Sequence, residues 1–379
     1  MAQAVSLLLL LLLLLLSLNS KLWVWQLSVH CIQYEALVYP ESSDPGISKR
    51  NADRKLEAFK HDFHHELKSG QRPKNVILFI GDGMGISTLT GARYTKAQNL
   101  GLAAGEVQLA WDDWPSVALV TTHSADRMTT DSGTSATAIM CGLFSGSHMD
   151  YEIQRRDQPS LAEMTSVAIQ ILSRNFKGFL LLVEGGRIDH AHHTNMAKAA
   201  LTDTLAMENA VLTAVRETDP KETLILVTAD HSHGYGIAGY ATRRQNIFDI
   251  DDTQEADDGM PYLISSYFNG PAAKINQTRE NPLKPGRLDD LAMQQALVPL
   301  SLATHTGEDV ALYSTGPMHQ LFHGTIDNTF IAYGTMYALC LEPYKNASHC
   351  QQSKGTRNAK QQTISIVLQL STLFWLQMN

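Results

Sequence analysis

Apolar residues cluster unevenly along this chain, and three short continuous runs stand out: VILFIGD closing at Asp82, FLLLVEGGRID carrying Glu184 and Asp189, and LILVTADH closing at Asp230 and His231. Runs of Val, Ile, Leu and Phe without polar alternation read as strands buried on both faces of a mostly parallel sheet. Ligands of such sheets bind just beyond the carboxyl ends of the strands, so three acidic ends would share one crevice. Two other stretches favour helix: the small residues of DSGTSATAIMCG after Ser132, and the polar lead-in KLEAFKHDFHHELKSG ahead of the first strand. From Gly239 to about Ala303 the pattern turns irregular, with DIDDTQEADDG, NGP and NPLKPG marking loops. The expected class is therefore α/β, a mostly parallel central sheet flanked by helices.

The ends of the chain show a different pattern. Leu7 to Leu16 is an unbroken leucine run, too short for a comfortable membrane span and placed like the core of a signal peptide. Cleavage is expected near Ser17 to Ser20; a signal anchor is the alternative, because KLWVWQLSVHCIQ prolongs the apolar character. At the other end ISIVLQLSTLFWLQ comes after the polar spacer TRNAKQQT and small residues at Ser353 and Gly355, the layout of a glycosylphosphatidylinositol anchor signal. Ser353 is the expected attachment site, and a C-terminal amphipathic helix is the competing reading. Sequons at Asn276 and Asn346 fit a secretory route.

Composition narrows the class further. The 379 residues, 44% hydrophobic and 18% charged, suffice for one large domain with a smaller insertion. A formal net charge of −8 argues against nucleic acid as partner. Of the 4 Cys, Cys141 is expected as a buried free thiol, and Cys31 either leaves with the leader or stays unpaired.

Acids gathered at strand ends repel one another unless cations hold them, and imidazole beside carboxylate favours zinc, whereas an oxygen-only corner favours magnesium. Asp189 and His193 stand four apart in RIDHAHH, on one helical face with room for one shared metal. Asp230 and His231 are adjacent, so the turn after their strand must aim both inward. Ser132 precedes its small-residue stretch at a helix N-terminus, where an oxyanion is favoured, and a neighbouring cation would make its hydroxyl a nucleophile. Taken alone, DSG would be read as an N-cap.

NVILFIGDGMG, DSGTSATA, VEGGRIDHAHH, VTADHSH and THTGEDV, in this order, closely resemble animal alkaline phosphatases, the membrane-anchored zinc phosphomonoesterases, over about Lys74 to Cys350. The resemblance implies that Ser132 attacks phosphorus to form a phosphoserine, hydrolysed in a second in-line step. One zinc would be held by Asp189, His193 and His305, the other by Asp82, Asp230 and His231, with magnesium leaning on Asp82 and Glu184. Two cations about 4 Å apart would stabilise attacking and leaving oxygens in turn. It also implies a disulfide between Cys340 and Cys350, subunit pairing through the helical lead-in, and a crown-like insertion over 239–303. Small phosphate monoesters would be the substrates of a cell-surface, lipid-anchored homodimer. His190 and His192 would point away from the metals, and His61, His64, His65 and His323 would be bystanders.

One departure is large. Met140 to Gly142 passes almost directly into LFSGSHMDYEIQRRDQPSLAEMT, so a long internal block of the family pattern is absent. In the family that block carries the arginine that clamps phosphate, the hydroxyl that completes the magnesium site, and an extra calcium site in some animal members. Losing one bidentate guanidinium contact would cost about a hundredfold in rate. Lost strands would also leave the sheet incomplete, with unpaired edges. Arg155 and Arg156 lie near the junction, where a solvated basic pair is expected rather than a substitute clamp. The expected organisation is a signal peptide at 1–20, a lead-in at 21–73, an alkaline phosphatase-like domain at 74–353 and an anchor signal at 354–379. Two functions fit: a zinc phosphomonoesterase, or a catalytically impaired relative acting as a surface metal-binding or dimerisation partner.

Overall fold

The structure, a computed structural model, describes residues 45–62, 72–122, 148–275, 277–351 and 365–370. Two units divide the chain, Met1–Ile47 and Ser48–Asn379, and every strand among the described residues belongs to the second.

The three apolar runs form β1 (Asn75–Ile80), β3 (Phe179–Glu184) and β4 (Thr223–Thr228), which lie side by side and parallel with β1 in the middle. Continuous apolar sequence translates directly into two-sided burial: Ile77, Phe79, Leu181, Val183, Leu224 and Leu226 are all inaccessible to solvent. Four more strands complete a seven-stranded sheet: β2 (Ser116–Thr121), β10 (Val310–Thr315), β11 (Gly324–Asp327) and β12 (Ser365–Leu370). Their order is β11-β2-β10-β4-β1-β3-β12, and only β10 runs antiparallel to its neighbours. Toward that side burial alternates, with Val117 and Leu119 of β2 facing solvent.

Helices cover the sheet. The first, α1 (Pro45–Asp62), buries Ala52, Leu56 and Phe59; it takes in the start of the expected lead-in helix, whose remainder lies outside the described residues. The second, α2 (Ile86–Asn99), comes after β1 through the GDGMG turn. The third, α3 (Leu161–Leu172), starts in a capping box: Ser160 Oγ accepts the Glu163 N–H while the Glu163 carboxylate accepts the Ser160 N–H. Next come the short α4 (Arg187–His193) and the alanine-rich α5 (Ala197–Glu217), whose Ala200, Met207, Val211 and Ala214 are fully buried. Near the end lie α6 (Thr329–Ala338) and α7 (Ser348–Gln351), and Cys340 is joined to Cys350 by a disulfide. No helix among the described residues is long and apolar enough to cross a membrane.

Two segments carry strands that the sequence pattern does not announce. The stretch 239–303, read as irregular, contributes β7 (Ser265–Gly270) and β8 (Ala296–Pro299), which pair with β6 (Tyr235–Ile237) in a separate three-stranded sheet. A second apolar cluster of Leu201, Tyr235, Ile247, Phe248, Ile264 and Tyr267 supports it. These strands are short and interrupted by polar residues, so no local periodicity announces them. The C-terminal segment expected in an anchor signal forms β12, parallel to the outer edge of β3, rather than the helix weighed against that reading.

Candidate metal centre

Backbone hydrogen bonds continue past the strand ends and bring the acids together. The Gly81 N–H donates to the Thr228 carbonyl (2.9 Å) and the Gly185 N–H to the Ile80 carbonyl (2.8 Å), holding the ends of β4, β1 and β3 level. Asp82, Glu184, Asp189 and Asp230 are all buried there. Gly83 has φ +68°, and a Cβ on it would lie 3.2 Å from the Asp189 carboxylate, so the turn after β1 folds over this acid only as glycine. The Gly83 N–H donates to Asp230 Oδ1 (3.2 Å), as does the His231 N–H (2.9 Å), which leaves Asp230 Oδ2 facing inward.

Two donor groups converge. Asp189, His193, His233 and His305 place one ligand atom each within 4.8 Å of one another, and Asp82, Asp189 and His231 do the same. His193 Nε2 lies 3.1 Å from Asp189 Oδ2, and His305 Nε2 lies 3.2 Å from Asp189 Oδ1. His231 Nε2 lies 3.3 Å from Asp82 Oδ1 and 3.6 Å from Asp230 Oδ2. The groups touch: the rings of His231 and His305 stack at 3.5 Å. A two-residue antiparallel ladder of β5 (Ser232–His233) and β9 (His305–Thr306) joins the two loops, and Ser232 donates its hydroxyl to the Glu308 carboxylate.

Hydrogen bonding settles the tautomers. The backbone carbonyl of Ala303 lies 2.5 Å from His193 Nδ1 and that of Ser232 lies 3.0 Å from His231 Nδ1. A carbonyl only accepts, so both Nδ1 atoms carry the proton, and both Nε2 atoms face carboxylates, where a neutral ring presents a lone pair. His193 Nε2 and His305 Nε2 also face each other at 3.1 Å. Neutral rings and carboxylate oxygens aimed at common points need a proton or a cation between them, and this donor set of imidazole with carboxylate fits divalent metal. The buried Asp189 Oδ1 has no hydrogen-bond partner of good geometry among the described residues, as expected of a metal-directed oxygen.

Sequence reading missed His233. The Gly234 N–H donates to its Nδ1 (3.1 Å), so its Nε2 carries the proton and lies 3.4 Å from Asp189 Oδ1. It faces the shared carboxylate with a proton rather than a lone pair, without closing a hydrogen bond of good geometry. A signal existed: His231 and His233 stand two apart in extended chain and so lie on one side. Burial opposes charge on Asp189, but the histidines around it prevail and hold its carboxyl well below the usual range.

Other histidines have partners of their own, and His64 and His65 lie outside the described residues. His192 is fully buried between Thr88 Oγ1 (3.0 Å) and the Tyr267 hydroxyl (2.9 Å), and burial pushes its imidazole down to about 3. His190 meets Arg187 (3.0 Å) and is pushed by burial to about 4. His323 bonds the Gln320 carbonyl. Arg155 is held by Glu152 through two hydrogen bonds (2.7 and 2.9 Å), and Arg156 is exposed. Asn346 is exposed, as a glycosylation acceptor must be. Ser132, Asn276 and Ser353 lie outside the described residues.

The chain matches the family model described as alkaline phosphatase over residues 73–143 and 140–341, two segments that meet where the internal block is absent. It is 43% identical over 237 residues to the tissue-nonspecific isozyme of alkaline phosphatase from Gallus gallus, covering 62% of this chain and 45% of the relative. Against the Homo sapiens isozyme it is 41% identical over 241 residues, covering 62% and 46%. The chain thus spans about half the length of the relatives it matches. The crystal structure of Thermus thermophilus alkaline phosphatase superposes with a TM-score of 0.51 at 19% identity, covering 75% of this chain and 96% of that one, a likeness of fold.

Proposed function

Because the chain belongs to the alkaline phosphatase family, we propose that it hydrolyses phosphate monoesters through a phosphoserine on Ser132, at a site holding two zinc ions and one magnesium. The observation that carries this reading is the convergence of two His/Asp groups whose Nε2 lone pairs face carboxylates across one strand-end crevice. Asp189, His193 and His305 would hold one zinc, and Asp82, Asp230 and His231 the other, with Asp82 and Glu184 directed to magnesium. Bound there, the cations would neutralise phosphate charge and favour ionised oxygen at neutral pH.

The chain's own residues set the rest. Asp230 is oriented by two backbone N–H groups, and Asp189 is enclosed by His193, His233 and His305, so neither carboxylate has to reorganise far as charge builds on the phosphoryl group. The block that carries the family's phosphate-clamping arginine is absent between the two matched segments, so turnover should be slow and leaving-group specificity broad. Surface display through a lipid at Ser353 and pairing of two copies belong to the same proposal. The second reading, a metal-bearing but catalytically impaired relative, rests on the absent block.

Hydrolysis of an aryl phosphate at alkaline pH, with zinc and magnesium supplied, separates the two. Turnover about a hundredfold below that of a full-length relative, lost in Ser132→Ala, is the expected result. Folded, zinc-loaded protein with no turnover would sink the enzymatic reading and leave the metal-binding one.

A further inference from the structure

The turn after α6 gathers functional side chains that the metal centre does not use. Cys340 and Cys350, ten residues apart, are joined there; Cys340 is half-buried, whereas Cys350 and its neighbour His349 are buried. His349 Nε2 lies 2.9 Å from the Tyr337 carbonyl and 3.3 Å from Cys350 Sγ. A carbonyl only accepts, so Nε2 carries the proton, and that N–H also faces the Cys350 sulfur. Burial first, and then the charges of Arg72 and Lys60, hold the imidazole below its ordinary value, so the ring is neutral. Lys60 is paired with Glu57 at the surface, but no carboxylate among the described residues pairs with the half-buried Arg72. Cys350 thus sits beside a fixed N–H donor and within the field of an uncompensated guanidinium, surroundings that favour a thiolate.

We propose that this disulfide is a thiol-exchange site, at which a small anionic thiol attacks Cys340 Sγ and Cys350 departs as a thiolate. The step balances with the thiol alone. The attacking thiolate forms a new S–S bond to Cys340, the old bond breaks with its electron pair on Cys350 Sγ, and the incoming sulfur is oxidised as far as that of Cys350 is reduced. Exposure and leaving group set the direction. Cys340 is the more open of the two, and exchange runs faster when the departing thiol has a low pKa, which the His349 N–H and Arg72 give to Cys350. The same guanidinium favours a thiol that carries carboxylates over a cationic one. Opening the bond would loosen the turn on which α1 is seated, where the Tyr344 hydroxyl donates to Asp53 (3.2 Å). None of this depends on whether the metal centre turns over phosphate.

The test uses the full chain with Cys31→Ser and Cys141→Ser, so that the bonded pair are the only cysteines left. Folded protein is incubated with reduced glutathione or, at matched thiolate concentration, with the cationic thiol cysteamine; free thiols are alkylated at intervals and the peptides weighed. Chains should carry glutathione on Cys340 and the alkyl group on Cys350, formed about tenfold faster than the cysteamine adduct. His349→Leu removes the N–H and should slow the exchange about tenfold, and Arg72→Gln should bring the two thiols to similar rates. No adduct on the folded parent, an adduct on Cys350, or parent rates unchanged in both variants overturns the assignment. Far-ultraviolet dichroism checks that each variant is folded; if His349→Leu is not, Arg72→Gln decides by itself.

Discussion

His231 and His233 belong to one short segment yet take opposite protonation roles, because one Nδ1 meets a carbonyl and the other an N–H. The first therefore presents a lone pair and the second a proton, and only the first can bind metal through Nε2. His233→Ala would remove one of the three rings that enclose the Asp189 carboxylate. Zinc affinity should fall about 10- to 100-fold, read by competition with a coloured chelator, with far-ultraviolet dichroism unchanged. Unaltered affinity would show that His193 and His305 orient Asp189 by themselves. At this scale much of the site was legible: Asp82, Asp189, Asp230 and His231 stand out as acids and an Asp-His pair ending apolar runs. His305 was legible only through resemblance, because THTGED has no chemistry of its own until the fold sets it against β5. His233 went unread because a tautomer depends on a backbone contact that no sequence pattern displays.

Among the elements, α5 carries a group the metal site does not use. Asp203 accepts the Glu152 backbone N–H (3.2 Å), and burial pushes its carboxyl up to about 7. Its unfolded value is the ordinary 3.8, so between that and about 7 the folded state binds the extra proton. Stability should then fall as pH rises across that window, and Asp203→Asn should remove this contribution. Thermal melts of both proteins at pH 5 and pH 7.5 check it: the parent should lose more than the variant, and parallel slopes would refute the assignment. The elements themselves were unequally readable. β1, β3 and β4 stand out because two-sided burial writes an unbroken apolar run. β7 and β8 are held by side chains distant in sequence, such as Leu201 and Phe248, so their local pattern is mute. The tail shows why an apolar run does not name its destination: the composition that suits membrane also suits a sheet edge.

For the whole molecule, cations bound to the native cluster and not to the unfolded chain would stabilise the fold by mass action. At a free concentration 100 times the dissociation constant, each contributes about 2.7 kcal/mol. Chelation should therefore lower the melting temperature by about 5–10 °C for a domain of this size. A melt indifferent to chelator would mean that the cluster holds no cation in solution. The stacked rings of His231 and His305, 3.5 Å apart, carry a last consequence. Each ring belongs to a different donor group, and Asp189 stands in both. The first ion to arrive freezes a ring and a carboxylate that its neighbour would otherwise have to order. Were that ordering to outweigh the repulsion between two close cations, chains carrying a single ion would be scarcer than empty or filled ones, which native mass spectrometry during a zinc titration checks.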